Sequence, residues 1–132
     1  MSSPRDDVKQ RIDTIESSYE FFLAYAAQGL TTDQASKSGL QLRDFLGKMD
    51  EALDGLAEGF RGLIASGELT PADRFEAMVA VLDDDAARTR AALGLVLSRS
   101  GISSQLIDNL NASIHVRALL TDLFLLDEVL PA

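Results

Sequence analysis

Apolar residues recur along this chain with a period close to that of an α-helix. Val8, Ile12, Ile15, Tyr19, Phe22 and Ala26 follow one another at alternating spacings of four and three, which places them on one stripe. Ser3-Pro4-Arg5-Asp6 leads into that stripe. It supplies an N-cap hydroxyl, a proline whose missing N–H costs nothing at the first helical position, and a carboxylate suited to the positive end of the helix. Gly29 offers the stop.

The second stripe runs Leu42, Leu46, Met49, Leu53, Leu56, Phe60, Leu63 without interruption and ends before Gly67. Thr31-Thr32-Asp33-Gln34 reads as its capping box. Ala35 and Gly39 extend the stripe backwards, so a continuous, bent helix over 32–66 is expected, with a break at Ser38-Gly39 as the alternative. At about 1.5 Å per residue such a helix would be ~50 Å long and would overhang the first.

Thr70 followed by Pro71 opens a third helix whose inner side carries Phe75, Met78, Val79, Leu82, Ala86, Leu93, Val96 and Leu97. Ser103 or Ser104 caps a fourth. Its stripe begins on Leu106, Ile107, Leu110 and Ile114, then shifts by roughly a quarter turn or more to Val116, Leu119, Leu120, Leu123 and Leu126, at 100° per residue.

Four helices, at approximately 4–28, 32–66, 71–99 and 104–129, joined by short turns, predict a single all-α domain over 1–132. The expected architecture is an antiparallel up-down-up-down four-helix bundle. The change of face in helix four makes Phe60, Leu63, Val116, Leu119, Leu123, Phe124 and Leu126 look like surplus apolar surface. A homodimer through that end is expected, with another protein as a further partner. Phe21-Phe22-Leu23 with Tyr25 is a second apolar cluster, read as core closure, with an interface as the alternative.

Charge and composition narrow the function. With 21 acidic against 12 basic side chains the net charge is −9, spread along the chain, which argues against nucleic acid and anionic membrane surfaces. The absence of cysteine removes disulfides, thiolate metal sites and cysteine nucleophiles. No apolar run approaches the roughly 18 residues of a membrane span, and the N-terminus does not read as a signal peptide, so a cytoplasmic location is expected.

His115 is the single histidine. A phosphoaccepting histidine on a small acidic bundle is usually followed three and four residues on by lysine and glycine. Here those places hold Ala118 and Leu119, and a structural or surface role is the simpler reading. No Glu-x-x-His pair occurs, so a di-metal carboxylate centre is not expected. Glu16 and Glu20, and Asp50, Asp54 and Glu58, read as solvated faces, and Asp84 with Arg88 as a surface pair one turn apart.

Asp85 lies on the edge of the third stripe. Folding helices three and four about Gly101 and Ile102 brings it level with Arg117. A partly buried Asp85–Arg117 ion pair is therefore expected, with Thr89 and Glu16 nearby, as a layer that fixes registry. The functional expectation is a small interaction module (an adaptor, assembly chaperone or regulator) with no enzymatic activity, cofactor or metal. One alternative is a small-ligand sensor or carrier anchored at Asp85, Thr89 and Arg117. A lower-ranked one is a phosphotransfer protein using His115.

Overall fold

The computed structural model describes residues 3–131, and these are all-helical, with no strand among them. The helices are α1 (Pro4–Ala26), α2 (Lys37–Leu53), α3 (Leu56–Ala65), α4 (Ala72–Leu97), α5 (Ser104–Ala112) and α6 (Ile114–Val129). α1 starts where the sequence predicts, with Ser3 Oγ accepting the Asp6 N–H at 3.1 Å. Gly29 takes the left-handed conformation just beyond its end.

The continuous second helix is not observed. α2 begins at Lys37, where Ser36 Oγ accepts the Gly39 N–H at 3.0 Å, and Thr32 serves only a local turn by accepting the Gln34 N–H at 3.3 Å. The alternative, a separate connection before a main helix that begins near Leu40, comes close, since residues 30–36 are not helical and the helix starts at Lys37. The segment before α2 folds back so that the Asp33 backbone lies directly over Gly39, where any Cβ would overlap it. A further break, not expected, comes at Gly55, which adopts φ +94° and divides α2 from α3. Before α4, Thr70 makes no capping hydrogen bond, and Pro71 itself occupies the cap.

The fourth predicted helix is also two. Ser113 has an extended backbone, with φ −63° and ψ 141°, and its Oγ accepts the Val116 N–H at 3.3 Å to start α6 afresh. This accounts for the change of face: α5 buries Ile107 and Leu110, while α6 buries Val116, Leu119, Leu120, Leu123 and Leu126. Ile114, at the bend, is left 75% exposed.

α1 packs along α2, α3 and α5, and α4 packs along α6, α3 and α2. The two bends turn the supposedly surplus residues inward, so Phe60, Leu63, Val116, Leu119, Leu123 and Leu126 all belong to the chain's own core. Phe124 alone of that set is exposed. Phe22 and Tyr25 are buried as well, and Phe21 stacks on Phe45 with ring centroids 4.5 Å apart, which makes these three core closure, while Leu23 of the same cluster is exposed.

Gly55→Ala is expected to lower stability by about 1–2 kcal/mol, because a Cβ is strained at that positive φ. Gly47→Ala, inside α2 with open space at the added carbon, is expected to raise it by up to about 1 kcal/mol. Urea denaturation of both variants checks the pair.

Candidate functional site

None of the six helices has a basic residue in its last turn. At α3 and α4 the cap serines Ser66 and Ser98 donate to the Leu63 and Leu95 carbonyls, and cationic donors for the negative dipole ends must come from elsewhere. Two arginines supply them across helices. Arg11 of α1 donates to the carbonyls of Glu51, Ala52 and Asp54 at the end of α2, at 3.1, 3.2 and 2.6 Å. Arg43 of α2 donates to those of Leu97, Arg99 and Ser100 beyond α4, at 3.2, 2.7 and 3.3 Å.

Arg43 also grips Asp33, Nε to Oδ2 at 2.7 Å, while Asp33 Oδ1 accepts the Ile102 N–H at 2.8 Å. Burial of Asp33 disfavours its charge, but Arg43 and the Ile102 amide outweigh burial and hold its pKa below the usual carboxylate value. The Tyr25 hydroxyl donates to the Ile102 carbonyl at 2.6 Å. Ser104 Oγ donates to the Tyr25 carbonyl at 2.7 Å and accepts the Leu30 N–H at 2.9 Å. The result is a clasp joining the turn after α1 to the turn after α4, with its donors and acceptors matched.

Asp50 and Asp54, read with Glu58 as a solvated face, keep much of their exposure and also meet α4. Arg90 reaches Asp50 at 2.8 Å and Asp54 at 3.3 Å, and Arg61 meets Asp83 at 3.3 Å. Asp54, Glu58, Arg61, Asp83 and Arg90 border a polar cleft of about 240 Å³ beside Gly55.

The seam between α4 and α6 is different, because its polar groups are not matched. The expected Asp85–Arg117 pair is not formed: Arg117 is exposed, and Asp85 takes Arg88 on its own helix at 3.3 Å. The register itself was right, since Thr89 Oγ1 donates to the His115 carbonyl at 3.1 Å across the seam. What the sequence reading lacked was the bend at Ser113, which resets the rotation of α6 and brings Asp122 toward Asp85 in place of Arg117.

Asp122 is 7% exposed and its Oδ2 is buried without a hydrogen-bond partner. Burial, then a hydrogen bond and charge repulsion from Asp85, push its pKa up to about 7. Glu16 does not join this layer. Its pKa is raised by burial and then by Asp127 of α6. His115 is exposed, and Asp85 and Arg117 are not joined in an ion pair. Asn111, just before the bend, has a buried amide with neither atom partnered.

Toward the start of α4 the seam opens into a groove of about 480 Å³. Pro71, Phe75, Met78, Leu125, Leu126 and Val129 line it, with Thr70 and Arg74. Leu125 and Val129 are more than half exposed. Among the described residues, no group of three or more potential metal ligands converges, and no helix is long and apolar enough to cross a membrane. Comparison with protein families, with curated proteins and with solved structures finds no match for this chain.

Arg43→Ala strips a buried carboxylate of its cation and leaves three carbonyls without a donor. It is expected to cost about 2–4 kcal/mol at neutral pH, with Arg43→Lys recovering only part, because an ammonium lacks the guanidinium fork. The folded-state pKa of Asp33 lies below its unfolded value, so its stabilisation is complete above about pH 4 and is lost as pH falls through the folded value. The gap between wild type and Arg43→Ala should therefore narrow in acid, as measured by urea denaturation at pH 7 and pH 3.

Proposed function

We propose that this chain is a small cytoplasmic protein-interaction module, built as an up-down-up-down four-helix bundle, that self-associates through the groove between α4 and α6. The bundle reading treats α2 with α3, and α5 with α6, as two bent rods beside α1 and α4. It is supported by contacts at both ends of α1: Arg11 near its start meets the end of α2, and Gln28 just past its end meets Ser38 at the start of α2, 2.8 Å away. Thr89 with His115, and Phe75 with Val129, support the same opposed arrangement of α4 and α6.

The observation that carries the interaction reading is the groove itself, an apolar floor left open in a chain whose other large clefts are mostly polar or mixed in lining. Its charges favour a second copy as the occupant. Arg74 stands on the α4 lip, and Glu128, exposed on the solvent side of α6 next to Val129, stands near the other. Neither makes an ion pair among the described residues. When two copies face each other about a two-fold axis along the groove, each α4 lies over the partner's α6, so that each Arg74 meets the partner's Glu128. Apolar floors and opposite charges are then satisfied at once.

Sedimentation velocity over a hundredfold concentration range tests this. The expected mass is twice 14.2 kDa for the wild type, falling to one chain for Leu125→Glu, weakened at least tenfold in affinity for Arg74→Glu, and restored in the Arg74→Glu/Glu128→Arg double variant. A wild type that stays monomeric throughout would overturn the reading.

A further inference from the structure

The walls of the α4–α6 groove are apolar, with Phe75 and Met78 on one side and Leu125 and Val129 on the other, whereas its polar lining, Thr70 and Arg74, belongs to the start of α4. We propose that the groove also takes a small amphiphile, an unbranched apolar chain ending in a carboxylate, and that this ligand competes with the second copy. The competition rests on the self-association reading, while the binding stands apart from it.

Size and shape suit such a ligand. At about 480 Å³ the space falls inside the roughly 300–1,000 Å³ of small-molecule sites. The lining runs from Pro71 to Met78, about 10 Å along α4 at ~1.5 Å per residue, which is room for a chain as well as a head group. Phe75 and Met78 lie one turn apart on one wall, as do Leu125 and Val129 on the other, so a chain laid along the groove meets successive apolar side chains. Met78, half-buried and unbranched, can adjust to it.

The head group follows from the charges. Arg74 is the one charged side chain of the lining; it is exposed and makes no ion pair among the described residues. Asp73 and Glu128 adjoin this end in sequence but stand outside the lining. A cationic head would meet Arg74, and a neutral one would leave its fork to water. A carboxylate can accept two guanidinium N–H groups and the Thr70 hydroxyl. The start of α4 also has no side-chain cap, so the N–H groups of its first turn stay open at the same end.

The same ligand reproduces what a second copy would offer. In the dimer, Arg74 meets a carboxylate, the partner's Glu128, and Leu125 meets apolar side chains. A fatty carboxylate supplies both from one molecule. Arg74 and the groove floor can be engaged once only, so ligand and second copy exclude each other and each weakens the other's binding by the same factor.

The test titrates decanoate, octanoate, decanol and decyltrimethylammonium, each below the concentration at which it aggregates, into methyl-labelled wild type and Arg74→Gln, read by NMR. The methyl groups of Met78, Leu125, Leu126 and Val129 are expected to shift, and those of Leu42 and Leu46, in the core on α2, to stay. Decanoate should bind about tenfold tighter than octanoate, since each methylene that reaches the floor adds up to about fourfold. Arg74→Gln should weaken decanoate about three- to tenfold and leave decanol unchanged. In sedimentation velocity, saturating decanoate should return the wild type to a single chain of 14.2 kDa.

Absent shifts, shifts that spread to Leu42 and Leu46, or decyltrimethylammonium binding as tightly as decanoate would overturn the binding. A dimer that survives saturating decanoate would overturn the competition. A wild type already monomeric without ligand would overturn the self-association reading and the competition with it, and the methyl shifts would still decide the binding.

Discussion

A helix end leaves carbonyl oxygens facing outward, and none of the six helices carries a basic side chain in its own last turn, although Ser66 and Ser98 each donate to one carbonyl at the ends of α3 and α4. The cationic donors come from the neighbouring helix, with Arg11 serving the end of α2 and Arg43 the end beyond α4. Such a guanidinium does two jobs in one contact. It satisfies three oxygens at a negative dipole end, and because it belongs to another helix it fixes how far the two helices slide. Apolar stripes set which faces meet, but a stripe tolerates a shift of one turn far better than a fork aimed at particular carbonyls. These arginines therefore act as the registry layer that an interior ion pair was expected to provide.

The two ends of the molecule consequently differ. At the clasp, Arg43, Asp33, Ile102, Tyr25, Ser104 and Leu30 exchange hydrogen bonds with one another. Along the α4–α6 seam the polar groups are in deficit, with Asp122 facing another acid and its Oδ2 unpartnered. A buried carboxyl of this kind costs stability when charged, and the groove beside it leaves apolar side chains wet. Both features sit on the same seam, and the rest of the chain is arranged to tolerate them there. Local stability and exposed surface are thus distributed in opposite senses along the molecule.

Much of this was legible from the residues and some was not, for reasons that can be named. The helical class, the Ser3 cap and the opposition of Thr89 to the His115 region follow from periodicity and caps, which are local signals. The shift of face in helix four was visible, but it was read as a demand for a second chain, whereas Ser113 answers it with a bend and a fresh cap. The bend in turn moved the acid's partner from Arg117 to Asp122. Asp122 falls three residues after Leu119 on the second stripe, and that spacing was the signal for its burial. The break at Gly55 was missed, because sequence shows where a glycine is, not whether a positive φ requires it. The arginine grips were illegible, since which carbonyls are free depends on where the helices end.

The contrast between a matched end and an unmatched seam is most directly tested by native-state hydrogen exchange, corrected for intrinsic exchange rates. The amides of Ile102 and Ser104, which donate to Asp33 and to the Leu30 carbonyl, are expected to exchange only through global unfolding. Amides of α6 around Leu123 and Leu126 are expected to exchange through a smaller opening. Equal opening free energies at both places would contradict the account.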